Sequence, residues 1–146
     1  MKDLVGIRRK YLKIEKAPTI LIADDIRDIL KKYLEKGGYD IVTSDNSEEA
    51  VKALKEYNIS LAIVDLKMSN VHRFLDFVIK QRSFIPVIIL TDYIDVQRAV
   101  EVMKNGGFKV LTKPIKETQL FYAIESTLRD MDDSDATKPF ESDGNG

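Results

Sequence analysis

The 146-residue chain contains no cysteine. That removes a disulfide framework and any thiolate-ligated zinc site, and it fits a reducing compartment. No apolar run approaches the roughly 18 residues of a membrane-spanning helix, and the first residues lack the uninterrupted apolar core of a signal peptide. There is no Gly-rich stretch closing on Gly-Lys-Ser/Thr, which excludes a P-loop nucleotide enzyme. Neither charge dominates: 23 Lys+Arg stand against 24 Asp+Glu, a formal net charge of −1. The basic surplus of a general nucleic-acid or membrane-surface binder is missing, so direct contact with either is not expected. A cytoplasmic protein is the simplest expectation.

What is present suits one domain with a real core, with 44% hydrophobic and 32% charged residues. Charge is unevenly placed. Residues 1–17 carry six Lys/Arg against Asp3 and Glu15, a basic N-terminal extension of net +4. Residues 130–146 carry six Asp/Glu against Lys138, an acidic tail of net −5 that is expected to be disordered. The folded domain is thereby expected over 18–129. Leu4, Ile7, Tyr11 and Ile14 space like a heptad stripe, a possible docking face, although so short a helix is marginal in water.

Within the domain, short apolar runs alternate with helical periodicity. The runs are TILIA (19–23), YDIVTS (39–44), ISLAIV (59–64), PVIILT (86–91) and FKVLT (108–112). Between them, Ile26, Ile29, Leu30, Tyr33 and Leu34 form a helical stripe ended by Gly37-Gly38. Ser47 is placed to cap a second helix through Ala50, Val51 and Leu54. Phe74, Leu75, Phe77 and Val78 mark a third helix, Val96, Ala99, Val100 and Met103 a fourth, and Leu120, Phe121, Ile124 and Leu128 a fifth. Five strands alternating with five helices predict an α/β protein with a parallel sheet covered on both faces. In such open sheets chemistry gathers outside the carboxyl ends of the strands.

At those ends stand Asp24-Asp25 after the first strand, Asp65 after the third, Thr91 after the fourth and Lys113-Pro114 after the fifth. Asp24 and Asp25 would also serve as caps of the first helix, but two acids facing a third ask for more than capping. Clustered carboxylates repel unless cations neutralise them. Lys113 is one such cation. All-oxygen ligation points to a hard divalent ion as the second, Mg²⁺ rather than zinc. A carboxylate, a metal, a lysine and a hydroxyl form a setting for phosphoryl transfer, with Asp65 as nucleophile. The product would be an acyl phosphate of nearly two negative charges that draws Thr91 toward itself.

The pieces ILIADD, AIVDLKM, VIILT and LTKP, in this order, resemble the receiver domain of two-component response regulators, a family that includes the single-domain chemotaxis regulator. The resemblance implies a flavodoxin-like (βα)5 fold, doubly wound, with strand order 2-1-3-4-5. It implies that Asp65 is the phosphoacceptor and that Asp24, Asp25, Asp65 and the backbone carbonyl of Lys67 hold Mg²⁺ or Mn²⁺. Thr91 would be the switch hydroxyl, Lys113 the lysine that pairs with the phosphoryl group, and Lys113-Pro114 a cis peptide. The partners implied are a histidine kinase or histidine phosphotransfer protein, a protein effector, and a homodimer through the fourth helix, fifth strand and fifth helix, roughly residues 95–128. Such a chain is a signalling domain rather than an enzyme, beyond self-catalysed phosphorylation and dephosphorylation.

Four positions depart from the family pattern. Met68 is followed by Ser69 where the family usually has Pro. Arg73 stands where a Gly is expected, so the loop after Asp65 should differ in shape if Arg73 is to avoid positive φ. Asp92 replaces the small residue beside the hydroxyl. At about 4 Å its carboxylate would oppose a phosphoryl group by about 4 kcal/mol at an effective dielectric of 20, unless it turns away. Val110 replaces the aromatic ring that follows the threonine's movement. Lys67 reads as surface charge or as a residue tuning acyl-phosphate lifetime, and His72, in a polar stretch, reads as solvated. Two other functions compete. A degenerate receiver would bind partners without phosphorylation, but no active-site residue is missing. An aspartate-nucleophile phosphatase would need a second Asp where Lys67 stands. After Leu128 too few residues remain for a DNA-binding or catalytic module, so the effector is expected to be another protein, or the chain a fragment of a longer one.

Overall fold

Five strands, β1 (Thr19–Ala23), β2 (Asp40–Ser44), β3 (Leu61–Asp65), β4 (Val87–Thr91) and β5 (Lys109–Thr112), form one sheet in the order β2-β1-β3-β4-β5. Every pairing is parallel. The computed structural model describes residues 17–23, 27–81, 85–92, 97, 101 and 108–141. Its helices are α1 (Arg27–Lys36), α2 (Ser47–Glu56), α3 (Val71–Ile79) and α4 (Glu117–Glu141). The helix anticipated from Val96, Ala99, Val100 and Met103 falls outside the described residues.

Strand side chains alternate between the two faces, and the sequence supplies an apolar residue for each. Leu21, Ala23, Ala62, Val64, Val87 and Ile89 meet Ala50 and Ala53 of α2 and Val71, Phe74, Leu75 and Val78 of α3. On the opposite face Ile20, Ile22, Leu61, Ile63, Ile88 and Leu90 meet Leu30 and Leu34 of α1 and Leu120, Ala123 and Ile124 of α4. Each fully buried branched or aromatic side chain contributes about 1.5–3 kcal/mol relative to exposure. This two-sided burial is why the central strands read as unbroken apolar runs. The outer strand β2 is exposed or half-buried from Asp40 to Thr43, as its alternating sequence anticipates, and only Ser44 is buried.

Helix α1 stops where two glycines permit it. Gly38 takes φ 87°, its N–H bonds the Glu35 carbonyl at 3.0 Å, and the Tyr39 N–H bonds the Leu34 carbonyl at 3.1 Å. This is the Schellman pattern, with glycine at the left-handed position. At Gly37 a Cβ would come within 2.6 Å of the Phe121 ring, which stacks on Tyr39 at 6.5 Å between centroids.

One helix start differs from the expectation. Ser47 is not the cap of α2: Asn46 is, its side chain accepting from the Glu49 N–H at 2.9 Å while Glu49 Oε1 accepts from the Asp45 N–H at 2.8 Å. Asn caps as well as Ser does, and the choice freed Ser47 for another contact. At the other end of the domain, α4 carries helical backbone to Glu141.

Candidate functional site

Asp65 ends β3, a strand buried over all five residues, and is itself 3% exposed. A carboxylate so placed requires partners. Its Oδ2 accepts from Lys113 Nζ at 2.5 Å, and its Oδ1 accepts from the Lys67 N–H at 2.8 Å. Lys113 follows β5 and precedes a cis peptide to Pro114. The Lys113 N–H donates to the Thr91 carbonyl at 2.7 Å, fastening the loop after β5 to the end of β4. Thr91 is 1% exposed, and its hydroxyl donates to the Asp92 carbonyl at 3.2 Å. Strand register explains the convergence. Asp65 pairs with Leu90, so Thr91 lies one residue beyond it, and Thr91 pairs with Thr112, so Lys113 lies one residue beyond that.

Of the residues singled out from sequence, Asp65, Lys67, Thr91 and Lys113 are thus brought to one edge, whereas Asp24 and Asp25 lie outside the described residues. Among the described residues no three His, Cys, Asp or Glu side chains gather as a metal cluster. What this edge offers a cation is oxygen: a buried carboxylate with lone pairs beyond the two contacts above. The one imidazole, His72, is exposed on α3. That donor chemistry fits a hard ion such as Mg²⁺.

The loop after β3 takes its own course. Asn70 adopts the left-handed conformation, φ 59° and ψ 34°, which Asn tolerates better than most residues. Arg73 is helical within α3, so the positive φ in question falls three residues earlier. Ser47 of α2, 2% exposed, directs its hydroxyl to the carbonyls of Ser69 at 2.8 Å and Asn70 at 2.5 Å. The hydroxyl thereby holds the turn from the side of a neighbouring helix. Sequence reading missed this role, because a Ser at a helix start resembles a cap.

The second missed contact joins Lys67 to Asp92, Nζ to Oδ2 at 2.5 Å, with the two side chains 58% and 30% exposed. Asp92 does not stand as an isolated charge beside Thr91; an ammonium lies against it. The pairing had a signal in the sequence. Each residue stands two positions beyond a register pair, Asp65 and Leu90, so opposite charges leave neighbouring parallel strands side by side. Val110 is partly buried against the core cluster of α2 and α3.

Comparison with known proteins places these features. A family model described as the response regulator receiver domain matches residues 20–125. The transcriptional regulatory protein GlrR of Escherichia coli is 32% identical over 114 residues, 75% of this chain and 26% of that one. The transcriptional regulatory protein FixJ of Bradyrhizobium diazoefficiens is 30% identical over 115 residues, 75% of this chain and 56% of that one. The chain therefore spans about a quarter to a half of these relatives. A receiver domain crystal structure from Clostridium thermocellum superimposes with a TM-score of 0.72 at 30% identity, covering 80% of this chain and 97% of that chain. Among the described residues no helix is long and apolar enough to cross a membrane.

Proposed function

The chain belongs to the response regulator receiver domain family, and on that footing we propose that Asp65 accepts a phosphoryl group from a histidine kinase or a histidine phosphotransfer protein. Receiver domains are signalling domains that interact with histidine kinases and generally bind Mg²⁺ at the phosphorylation site. The observation that supports the reading best is the contact of buried Asp65 with Lys113, with Thr91 beside them on the intervening strand.

In this reading a carboxylate oxygen of Asp65 attacks the phosphorus of a phosphohistidine, the P–N bond breaks, and the imidazole leaves with a proton taken from solvent. Lys113 holds the carboxylate in place before transfer, then pairs with a phosphoryl oxygen. The buried Thr91 hydroxyl exchanges its local carbonyl for another phosphoryl oxygen and brings the end of β4 with it. Asp24, Asp25, Asp65 and the Lys67 carbonyl would hold Mg²⁺, which when bound neutralises charge on the transferring group. Burial of Asp65 and Thr91 supports the role of the site, because a charge at a water-poor edge acts at low effective dielectric. The output is a change in protein binding. We assign it to the face of β5 and α4, where Val110, Leu111, Thr118 and Tyr122 line a groove and Tyr122 is 72% exposed.

Intact-mass analysis with acetyl phosphate tests the proposal. The wild type should gain one phosphoryl mass in Mg²⁺ and none in chelator, and Asp65→Asn should gain none in either. A wild type that stays unmodified with both acetyl phosphate and a cognate kinase would turn the reading toward a phosphorylation-independent binding module.

A further inference from the structure

We propose that Lys67 is an exchangeable cation: it holds Asp92 in the unphosphorylated protein and transfers its ammonium to the phosphoryl group once Asp65 is modified. The inference rests on the phosphoacceptor reading above. Three observations carry it. First, the Lys67 N–H is bonded to Asp65 Oδ1 at 2.8 Å, so the backbone of Lys67 is anchored on the very carboxylate that would be modified. Second, the side chain of the same residue reaches to Asp92 at 2.5 Å, joining the loop after β3 to the loop after β4. Third, the Asp92 carbonyl is the acceptor that occupies the Thr91 hydroxyl at 3.2 Å. One residue, Asp92, is thus held by a lysine at its side chain and by a threonine at its carbonyl, and both of those donors face a competitor when Asp65 changes charge.

The competition is unequal. A partly exposed pair of single charges is weakly held, whereas an acyl phosphate presents nearly two negative charges and three acceptor oxygens. The ammonium and the hydroxyl leave Asp92 for the same new anion. Asp92, now facing a like charge, is repelled from the site, and the chain after Thr91 moves with it. The exchange supplies a transmission route that needs no aromatic ring at position 110. It also governs entry, because Asp92 opposes an approaching anionic donor unless Lys67 screens it.

The test is phosphorylation by acetyl phosphate in Mg²⁺, followed by intact mass, for the wild type, Lys67→Ala, Asp92→Asn and the double variant. Lys67→Ala should slow modification about tenfold. Adding Asp92→Asn should return the rate to within about threefold of wild type, because the charge that Lys67 screened is gone. Lys67→Arg should keep most of the rate. Repetition with phosphoramidate, a less charged donor, should shrink the Lys67→Ala effect. Hydrogen exchange of the peptide containing Thr91 and Asp92 should rise on phosphorylation of the wild type and be raised already in unphosphorylated Asp92→Asn. Equal slowing by Lys67→Ala in both Asp92 backgrounds, or exchange unaltered by Asp92→Asn, would overturn the exchange while leaving the phosphoacceptor reading intact. A wild type that never gains the phosphoryl mass would overturn both.

Discussion

Removing Lys113 should damage the fold more than removing the carboxylate it serves. The Asp65–Lys113 pair brings opposite charges to 2.5 Å, with side chains 4% and 26% exposed. At an effective dielectric of 20 that separation corresponds to about 7 kcal/mol of gross attraction, set against a desolvation penalty of several kcal/mol per ion, so the intact pair is nearly neutral in net stability. The single variants are not symmetric. Lys113→Met leaves a buried carboxylate with its Lys67 N–H bond but without the ammonium, at a cost of about 3 kcal/mol. Asp65→Asn leaves an ammonium with access to water and keeps an oxygen for the Lys67 N–H, at a cost of about 1 kcal/mol. With a urea m-value of about 2 kcal/mol/M, the midpoint should fall by about 1.5 M for Lys113→Met and about 0.5 M for Asp65→Asn. Far-UV circular dichroism in chelator, where no cation replaces the ammonium, measures both. Equal shifts, or a larger one for Asp65→Asn, would refute the claim that Asp65 depends on Lys113 as its buried partner.

Ser47→Ala should destabilise the domain by about 1–2 kcal/mol in urea melts and speed hydrogen exchange around Val71, because the Ser69 and Asn70 carbonyls lose their donor; an unchanged melt would show that water replaces the hydroxyl without loss. Gly38→Ala should cost about 1–2 kcal/mol, since φ 87° is strained for any side chain; a Gly38→Asn variant should recover part of it. Phe74→Ala, at a fully buried position on the sheet-facing side of α3, should cost about 3–5 kcal/mol by calorimetry.

The centre of the sheet was legible because β1, β3 and β4 bury both faces, and such strands announce themselves as unbroken apolar runs with a polar residue at the exit. Asp65, Thr91 and Lys113 followed from that pattern, since the residue after a parallel strand is fixed in position by the strand before it. What escaped depends on pairs rather than runs. Ser47 looks like a cap in one dimension and becomes a brace only when α2 lies beside the loop at Ser69. Lys67 looks like surface charge and Asp92 like an isolated carboxylate beside Thr91 until β3 and β4 are laid in register. That the loop departs from the family shape could be read from Arg73 standing where a glycine is expected, but that it turns at Asn70 could not.

The stepped register of β3, β4 and β5 has a consequence for what length changes the domain can absorb. Deleting one residue inside β4 would carry Thr91 to the opposite face of the sheet and uncouple Lys67 from Asp92 together, although every functional side chain were still present. The same deletion in a surface connection between helix and strand shifts nothing at the carboxyl edge. The site behaves as a combination lock with three dials, tolerant of a changed housing and intolerant of a single click.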